Sequence, residues 1–484
     1  MIDLVLADIQ GPEIDYAGLS PLFALAGGTV IVLMAALFRG EFVQRILVPA
    51  LTLTSLGAAV GLTIWQWETG DLEPIIENAL AVDTLALGGG LLFYAAAILT
   101  VVLSLRDEAV RVAGAGEYFA LLLASVTGMV VFASAENLIT LFVGIELLSI
   151  PLYALCAFRR ARSESVESGV KYFLLGSFSS ALFLYGSALL YAASGTLDLG
   201  VLADRELGSP LALSGLALIT ASLFFKVAVF PFHLWAPDVY QGSPTPVTAL
   251  MATGTKAAAF GFLIAQLMPI LPASARNGVA VLALVTMLLG NLGALVQNDL
   301  KRMLAYSSVA HAGTLLLLVA AGMGATDTHG ALLAAFYYLG GYLFTAAGAF
   351  GALALLEGSG SRYTRLENLR GLARSRPFVS ALLALCLLSL GGIPATAGFL
   401  GKWFVFSVLV RADMILVAVL GALLSVVALG YYLRVIVVLY MQPPPEELEP
   451  PRGNRLSASI AGVLCCAFVL AMGLFPSLFL GLLG

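Results

Sequence analysis

Charged residues are scarce in this sequence. Only 11% of its 484 residues are Asp, Glu, Lys or Arg, whereas soluble domains carry about 25%. Hydrophobic residues make up 60% of the chain, and the mean hydropathy is +0.99. These values exclude an ordinary soluble domain. They predict a protein that crosses a lipid bilayer many times, with about 20 apolar residues for each crossing.

Cysteine and histidine are also rare, with four and three residues respectively. No Cys-x-x-Cys spacing occurs, and all four cysteines lie in or at the ends of apolar runs, which favours buried structural thiols over metal ligands. No P-loop, haem-ligand or flavin motif is present. We therefore expect no redox centre, metal site or bound cofactor in this chain, and no nucleic-acid partner. Energy for any transport would have to come from outside it.

The apolar runs predict an all-α membrane protein with about 14 transmembrane helices, called spans 1 to 14 here. Long runs that contain Gly and Pro favour helices over a β-barrel, whose strands would alternate apolar and polar residues. The spans are expected near residues 18–38, 46–65, 82–105, 116–134, 137–158, 168–193, 210–233, 244–270, 277–297, 303–323, 328–356, 377–410, 414–440 and 457–482.

The basic residues between the spans divide unevenly between the two faces of the membrane. Sixteen fall on one face and only three, Arg205, Arg276 and Arg411, on the other. The positive-inside rule makes the first face cytoplasmic. Both termini are then expected on the outer side.

Four of the five lysines lie inside spans, namely Lys171, Lys226, Lys256 and Lys402. A buried lysine can lose its proton, whereas an arginine stays charged in proteins. The pattern therefore indicates cations that must sometimes be neutral. Arg434, near the cytoplasmic end of span 13, is instead expected to extend to the membrane surface.

Prolines interrupt two spans beside a lysine. Pro231 follows Lys226 on span 7, and Pro394 precedes Lys402 on span 12. A proline inside a helix frees a backbone carbonyl, which at membrane depth must be covered by protein or a water cavity. The breaks are five spans apart, so spans 4–8 and 9–13 would run in opposite senses, as in inverted-repeat transporters. The predicted regions are spans 1–3 (residues 1–115), a first five-helix repeat (116–270), a second five-helix repeat (277–440), and a loop with span 14 (441–484).

Glu146 lies about halfway along span 5, where a charge costs about 2.5–3.5 kcal/mol on insertion scales. It could be a protonated or hydrogen-bonded group that locks packing, or an ion partner for a lysine, with Lys226 the first candidate. If Glu146 were withdrawn or neutralised, desolvation would release the proton of the lysine. Lys256 could receive that proton, and Lys402 could pass it outward.

Three residues are second candidates for the same relay. Histidine titrates near neutral pH, so His233 after the span 7 proline and His311 on span 10 could pass protons. A lone histidine on a helix is, however, often a packing residue. Lys171 follows Glu167 by four residues, which is the spacing of a helical ion pair, and it could equally be a surface anchor.

Four segments closely resemble the antiporter-like subunits of respiratory complex I, the bacterial NADH:quinone oxidoreductase. They are GIELLSIPLYAL, FFKVAVFPFHLWAPDVYQGSPTPVTALMATGTKAA, NLGALVQNDLKRMLAYSSVAHAG and GGIPATAGFLGKWFVF. The likeness covers roughly residues 115–440. It implies a proton-translocating subunit of an enzyme complex, located in the bacterial inner membrane and driven by quinone reduction elsewhere in the complex. Its partners would be neighbouring antiporter-like and small membrane-arm subunits and the lipid bilayer.

The resemblance also implies roles for individual residues. In that family the proposed proton relay has a glutamate on helix 5, lysines on helices 7 and 8, and a charged residue on helix 12. These match Glu146, Lys226, Lys256 and Lys402. Lysine rather than glutamate at residue 402, and no long lateral helix after Gly484, favour one branch of the family over its two sister branches.

Two alternatives stay open. The first is a cation/proton antiporter subunit of an Mrp-type or related complex, to which the same family is similar. A sodium route would usually need several clustered carboxylates, and only Glu146 is convincingly intramembrane. The second is a scaffold subunit that merely fills the membrane arm, a role that needs no buried lysines.

Overall fold

A computed structural model describes residues 14–38, 40–70, 74–75, 79–105, 107, 110, 114–324, 328–357, 361–444 and 456–481. The main helices are α1 Ser20–Ala36, α2 Val48–Thr69, α3 Thr84–Ser104, α4 Ala115–Ala133, α5 Leu138–Cys156, α6 Ser163–Ser194, α7a Pro210–Val227, α7b Trp235–Gly242, α8 Thr245–Phe262, α9 Arg276–Leu295, α10 Leu300–Gly322, α11 His329–Glu357, α12a Pro377–Gly391, α12b Ala397–Arg411, α13 Ile415–Met441 and α14 Leu456–Leu474.

The remaining regular elements are short. Single turns of π-helix extend α2 and α8, and short α- and 3₁₀-helices lie in the connections. The short helices are Val43–Leu47, Leu199–Ala203, Leu263–Leu267, Ala273–Ala275, Ser361–Thr364, Leu366–Leu369, Leu372–Ser375 and Pro476–Leu480. The all-α prediction misses one antiparallel pair of two-residue strands, β1 Pro74–Ile75 and β2 Leu80–Ala81.

Within the described residues, twelve helices are long and apolar enough to cross a membrane. The chain is therefore a multi-pass membrane protein, as its composition predicts. Helices α1 and α12a are apolar but shorter, because α1 has 17 residues and the chain leaves the helix after Gly391. The predicted span 7 also ends early, since α7a stops at Val227, four residues before Pro231.

Helices α8, α10 and α11 form the centre of the bundle. In each of them 94% of the most apolar stretch is buried inside the chain, against 28–39% for the peripheral helices α6, α9 and α13. Small residues on α8, such as Ala252, Gly254 and Ala258, let neighbouring helices approach closely. The centre of the fold is therefore built from the spans that carry Lys256 and His311.

Helices α4 and α5 touch at their backbones through glycine. A Cβ added at Gly128 would lie 2.1 Å from the Leu148 backbone nitrogen, and one at Gly144 would lie 2.6 Å from the Phe132 nitrogen. The Ser125 hydroxyl donates to the Leu148 carbonyl at 3.0 Å across the same contact. This close packing fixes the position of α5, which carries Glu146.

Candidate functional site

Glu146 is half-buried on α5. Its carboxylate accepts a hydrogen bond from the Ser180 hydroxyl of α6. Ser149 and Tyr153 follow it on α5 at spacings of three and seven residues, so the three side chains share one face of the helix. This face points toward the end of α7a, because Lys226 contacts both Ser149 and Tyr153.

Lys226 lies in the last turn of α7a and is only 8% exposed. Its Nζ donates to Ser149 Oγ at 2.6 Å and lies 5.9 Å from the centre of the Tyr153 ring. Among the described residues no salt bridge joins Lys226 to Glu146, and Glu146 as the ion partner of Lys226 stays a prediction. Ser149 lies one turn further along α5 and binds the amine, while Ser180 binds the carboxylate.

The chain leaves the helix between α7a and α7b. Ala228 has left-handed backbone angles, with φ at 59°. The break frees carbonyls of α7a, and Trp235 Nε1 donates to one of them, that of Phe225, at 2.9 Å. His233 is buried inside the break, and its Nδ1 has no hydrogen-bond partner among the described residues. The structure therefore places His233 beside the break but bonds it to none of the predicted relay residues.

A small cavity separates Lys226 from α8. Its volume is about 10 Å³, and both Lys226 and Thr255 line it. Thr255 immediately precedes Lys256. A volume of this size is close to the least that holds one water molecule, so one water could connect the end of α7a to α8.

Lys256 is 2% exposed, on the central helix α8. Its Nζ donates to both the carbonyl and the hydroxyl oxygen of Ser308 on α10, each at 2.5 Å. The Tyr342 ring centre lies 5.7 Å away, and the Tyr342 hydroxyl donates to Ser308 Oγ at 2.9 Å. All of these partners are neutral, so the amine can lose a proton without breaking an ion pair.

His311 lies on α10 between two tyrosines. Its Nδ1 is 2.6 Å from the Tyr338 hydroxyl, and its Nε2 is 3.3 Å from the Tyr432 hydroxyl. The Tyr432 hydroxyl is also 2.5 Å from Ser307 Oγ. Because Ser307 precedes Ser308, polar groups continue from the partner of Lys256 to His311.

Lys402 is 8% exposed and lies near the start of α12b. Its Nζ donates to the carbonyls of Leu390 and Gly391, at 2.9 and 3.0 Å. These are the last carbonyls of α12a, where the helix dipole favours a cation. A cavity of about 10 Å³ is lined by both Lys402 and His311, so the break in span 12 adjoins the histidine of α10.

Lys171 and Arg434 lie away from this row. The Lys171 amine is 42% exposed and pairs with Glu167 at 2.7 Å and Asp238 at 2.8 Å. The four-residue spacing between Glu167 and Lys171 therefore correctly predicts an ion pair. The guanidinium of Arg434, which was predicted to extend to the membrane surface, reaches the connection between α9 and α10, where it donates to Asn298 Oδ1 at 3.1 Å. It donates to the carbonyl of Leu295, the last residue of α9, at 2.8 Å.

Four charged groups that are far apart in the sequence form a buried cluster at the ends of four helices. Arg159 Nη2 lies 3.0 Å from an Asp107 oxygen and 3.3 Å from a Glu357 oxygen, and Lys301 Nζ lies 3.7 Å from the other Glu357 oxygen. Burial lowers the pKa of the Arg159 guanidinium, but the two carboxylates outweigh burial and raise the pKa above its usual value. One signal was visible in the sequence, since Lys301 is the one lysine outside the predicted spans.

Glu136 lies in the connection between α4 and α5. Burial, and then the nearby Asp83 and Asp198 carboxylates, raise the pKa of its side chain above the ordinary value. Gln266 Nε2 donates to Glu136 Oε1 at 3.4 Å and partly offsets that rise. This carboxyl group is therefore more easily protonated than an exposed glutamate.

Comparisons with known proteins agree on one family. Residues 135–428 match the family described as NADH:quinone oxidoreductase/Mrp antiporter, transmembrane. NADH-quinone oxidoreductase subunit N 2 of Roseiflexus castenholzii is 37% identical, with 98% of this chain and 97% of the relative covered. Other bacterial relatives that are 36–42% identical carry the same subunit letter. The resemblance to one branch of the complex I subunits is thereby confirmed.

Solved structures share the fold. A chain of respiratory complex I from Thermus thermophilus with bound aureothin is 36% identical, has a TM-score of 0.82, and is similar over 96% of this chain and 99% of its own length. A chain of the Mrp complex from Dietzia sp. has a TM-score of 0.81 at 21% identity, over 96% of each chain. At that identity the second likeness shows the fold alone.

Proposed function

This chain belongs to the NADH:quinone oxidoreductase/Mrp antiporter transmembrane family, and from that premise we propose that it is the subunit N-type proton-translocating subunit of a bacterial NADH:quinone oxidoreductase. Quinone reduction elsewhere in the complex would supply the work. The observation that carries the proposal is a row of three buried amines, Lys226, Lys256 and Lys402, each hydrogen-bonded in the described structure to neutral oxygen atoms.

Amines held by neutral partners suit proton transfer. A lysine in a tight ion pair must break that pair before it can lose its proton, and truncating or neutralising one partner of a buried pair is costly. An amine bonded to a hydroxyl or a carbonyl still donates a hydrogen bond after it becomes neutral. Each of the three lysines can therefore alternate between two protonation states while its surroundings stay in place.

Glu146 is the control element in this proposal. While its carboxylate is bound to Ser180, it stabilises the charged form of Lys226 only from a distance. A shift of the carboxylate along the α5 face toward Ser149 would increase that stabilisation, because an opposite charge within about 4–6 Å favours the charged amine. Withdrawal of the carboxylate would release the proton toward the cavity lined by Lys226 and Thr255.

The later part of the route runs through the second half of the chain. From Lys256 the proton would move by way of the serines and tyrosines that surround His311, and then across the cavity to Lys402. Hydroxyl groups both donate and accept hydrogen bonds, so each can pass a proton by rotating. The proposed route leaves out His233 and Lys171, because no hydrogen bond in the described part of the chain joins either of them to it.

The proposal also includes a finer architecture. The twelve long spans, with α1 and the broken pair α12a and α12b, would give fourteen crossings. Residues 116–270 and 277–440 would be inverted five-helix repeats, each with one broken helix, between a three-helix region at 1–115 and a final region at 441–484. Both termini would face outward from the bacterial inner membrane, and other membrane-arm subunits would contact the peripheral helices.

A test of this function replaces Lys226 by Ala in the assembled complex and measures NADH-driven proton uptake into vesicles together with quinone reduction. We expect proton uptake per NADH to fall, because the first amine of the row is lost. Arg370→Ala, at an exposed position, is the matched control and should leave the ratio unchanged. Wild-type coupling in the Lys226 variant would refute the relay, and a purified complex without an NADH-oxidising partner would favour the cation/proton antiporter alternative.

A further inference from the structure

The buried cluster of Asp107, Arg159, Lys301 and Glu357 lies where four helices end on one face of the membrane. Asp107 and Arg159 follow the last residues of α3 and α5, Lys301 is in the first turn of α10, and Glu357 ends α11. The two helices α10 and α11 belong to the buried centre of the bundle. Under the positive-inside rule this face is cytoplasmic. The cluster therefore lies between the cytoplasm and the row of buried amines.

One member of the cluster can change its charge most readily. Arginine does not lose its proton in proteins, and Arg159 contacts both carboxylates, at 3.0 and 3.3 Å. With Lys301 protonated, the four groups carry two positive and two negative charges. With Lys301 neutral, they carry a net charge of −1. Lys301 is thus the cation of this cluster that can lose its proton, whereas Arg159 cannot.

The contacts of Lys301 differ from those of Arg159. The Lys301 side chain is 2% exposed. Its Nζ lies 3.7 Å from a Glu357 oxygen, which is longer than a hydrogen bond, and donates to the Ser243 carbonyl at 2.6 Å. Ser243 lies between α7b and α8. The amine is therefore held mainly by a neutral oxygen, as Lys226, Lys256 and Lys402 are, and a weaker carboxylate contact replaces a tight ion pair.

Helix α10 connects this amine to the row described above. Lys301 and Ser308 are seven residues apart on α10, which places them on nearly the same face and about 10 Å apart along the axis. Ser308 binds the Lys256 amine through two oxygen atoms at 2.5 Å. The face of α10 that begins at Lys301 therefore leads to Lys256.

We propose that the cluster is a cytoplasmic proton-loading site, in which the Lys301 amine takes a proton from the cytoplasm and passes it along α10 to the Lys256 amine. This inference rests on the proposed function of proton translocation. Four charged groups face Lys301. They are Glu357 at the end of α11, Asp107 after α3, Arg159 after α5, and Asp299 two residues before Lys301. The Cys156 thiol at the end of α5 also faces it.

The decisive variants are Lys301→Arg and Lys301→Gln in the assembled complex. Lys301→Arg keeps the positive charge, so a cluster with a purely structural role would stay intact. Arginine cannot release a proton, however, so a proton-loading role would be lost. Glutamine keeps a hydrogen-bond donor for Ser243 and cannot carry a proton, so it provides the same test if the larger guanidinium prevents assembly. We expect both variants to lose as much proton uptake per NADH as Lys256→Met loses in the same vesicles.

Each outcome is informative. Wild-type proton uptake in the Lys301→Arg or Lys301→Gln complex would overturn the loading site, because a proton carrier at this position would then be unnecessary. If Lys256→Met also retained wild-type uptake, the proposed function itself would fail. Arg370→Met removes an exposed cation from the same predicted face and should leave the ratio unchanged, which excludes a general effect of surface charge.

Discussion

The contact between α4 and α5 gives the sharpest structural prediction. In Gly128→Ala the new Cβ would lie 2.1 Å from the Leu148 nitrogen, where ordinary contact begins at 3.4 Å. The difference, 3.4 − 2.1 = 1.3 Å, is the separation that the two helices would have to gain at this point. The obstructing atoms are backbone, so no side-chain rotation can relieve the clash.

The expected cost has two parts. Overpacking a close-packed interior typically costs 1–3 kcal/mol, and occasionally more, and a backbone clash belongs at the upper end of that range. A shift of about 1 Å in α5 would also disturb the 2.6 Å hydrogen bond between Ser149 and Lys226, because hydrogen bonds weaken once the heavy atoms exceed about 3.2 Å. We therefore expect a lower thermal midpoint and weaker coupling together.

The assay is the thermal midpoint of the purified complex, combined with proton uptake per NADH in vesicles. Gly57→Ala is the matched control, because a Cβ at that position would have no neighbour within 4 Å. A Gly128→Ala complex with the midpoint and coupling of the wild type would show that α4 and α5 do not meet at their backbones, and the placement of Glu146 argued from that contact would have to be abandoned.

Three further predictions concern single polar groups. Ser149→Ala removes the hydrogen bond that holds Lys226, so proton uptake per NADH should fall, whereas Ser149→Thr, which keeps a hydroxyl, should retain more of it. Lys402→Glu should reduce both assembly and uptake, because a carboxylate would face two backbone carbonyl oxygens, and Lys402→Arg should be milder. Glu136→Gln should raise the thermal midpoint at pH 8 and leave it unchanged below the ordinary pKa of 4.5, because burial raises the pKa of Glu136 and ionisation above it destabilises the folded chain.

Each of these predictions has a clear contrary result. Equal uptake in the alanine and threonine variants at residue 149 would remove the serine from the site. If the Lys402→Glu complex assembled as well as the Lys402→Arg complex, the side chain of residue 402 would not be what holds the α12a carbonyls. A midpoint difference at residue 136 that is the same at every pH would show that the glutamate does not titrate in the folded protein.

Much of the fold was predictable because hydropathy and proline position act locally. The long apolar runs fixed the class of protein, and Pro231 and Pro394 indicated the breaks in spans 7 and 12. The exact end of α7a was not predictable. The helix stops at Val227, where Ala228 adopts left-handed backbone angles, and nothing in a single sequence marks an alanine for that conformation.

The neighbours of the candidate residues were less predictable than the residues themselves. A lysine or glutamate inside an apolar run is conspicuous, because its burial is costly. A serine is not conspicuous, and yet Ser149, Ser180 and Ser308 are the side chains that bind the charged groups. The buried cluster around Lys301 joins segments that are far apart in the chain, so only the folded structure brings them together.

The indole of Trp235 connects the break in span 7 to helix α6. Besides bonding to the Phe225 carbonyl, Trp235 stacks on Tyr172 of α6, with ring centres 4.6 Å apart and planes inclined by 12°. Phe225 is next to Lys226. Helix α6 lies at the edge of the bundle. A sideways displacement of α6 would therefore be transmitted through Trp235 to the final turn of α7a, which carries the Lys226 amine.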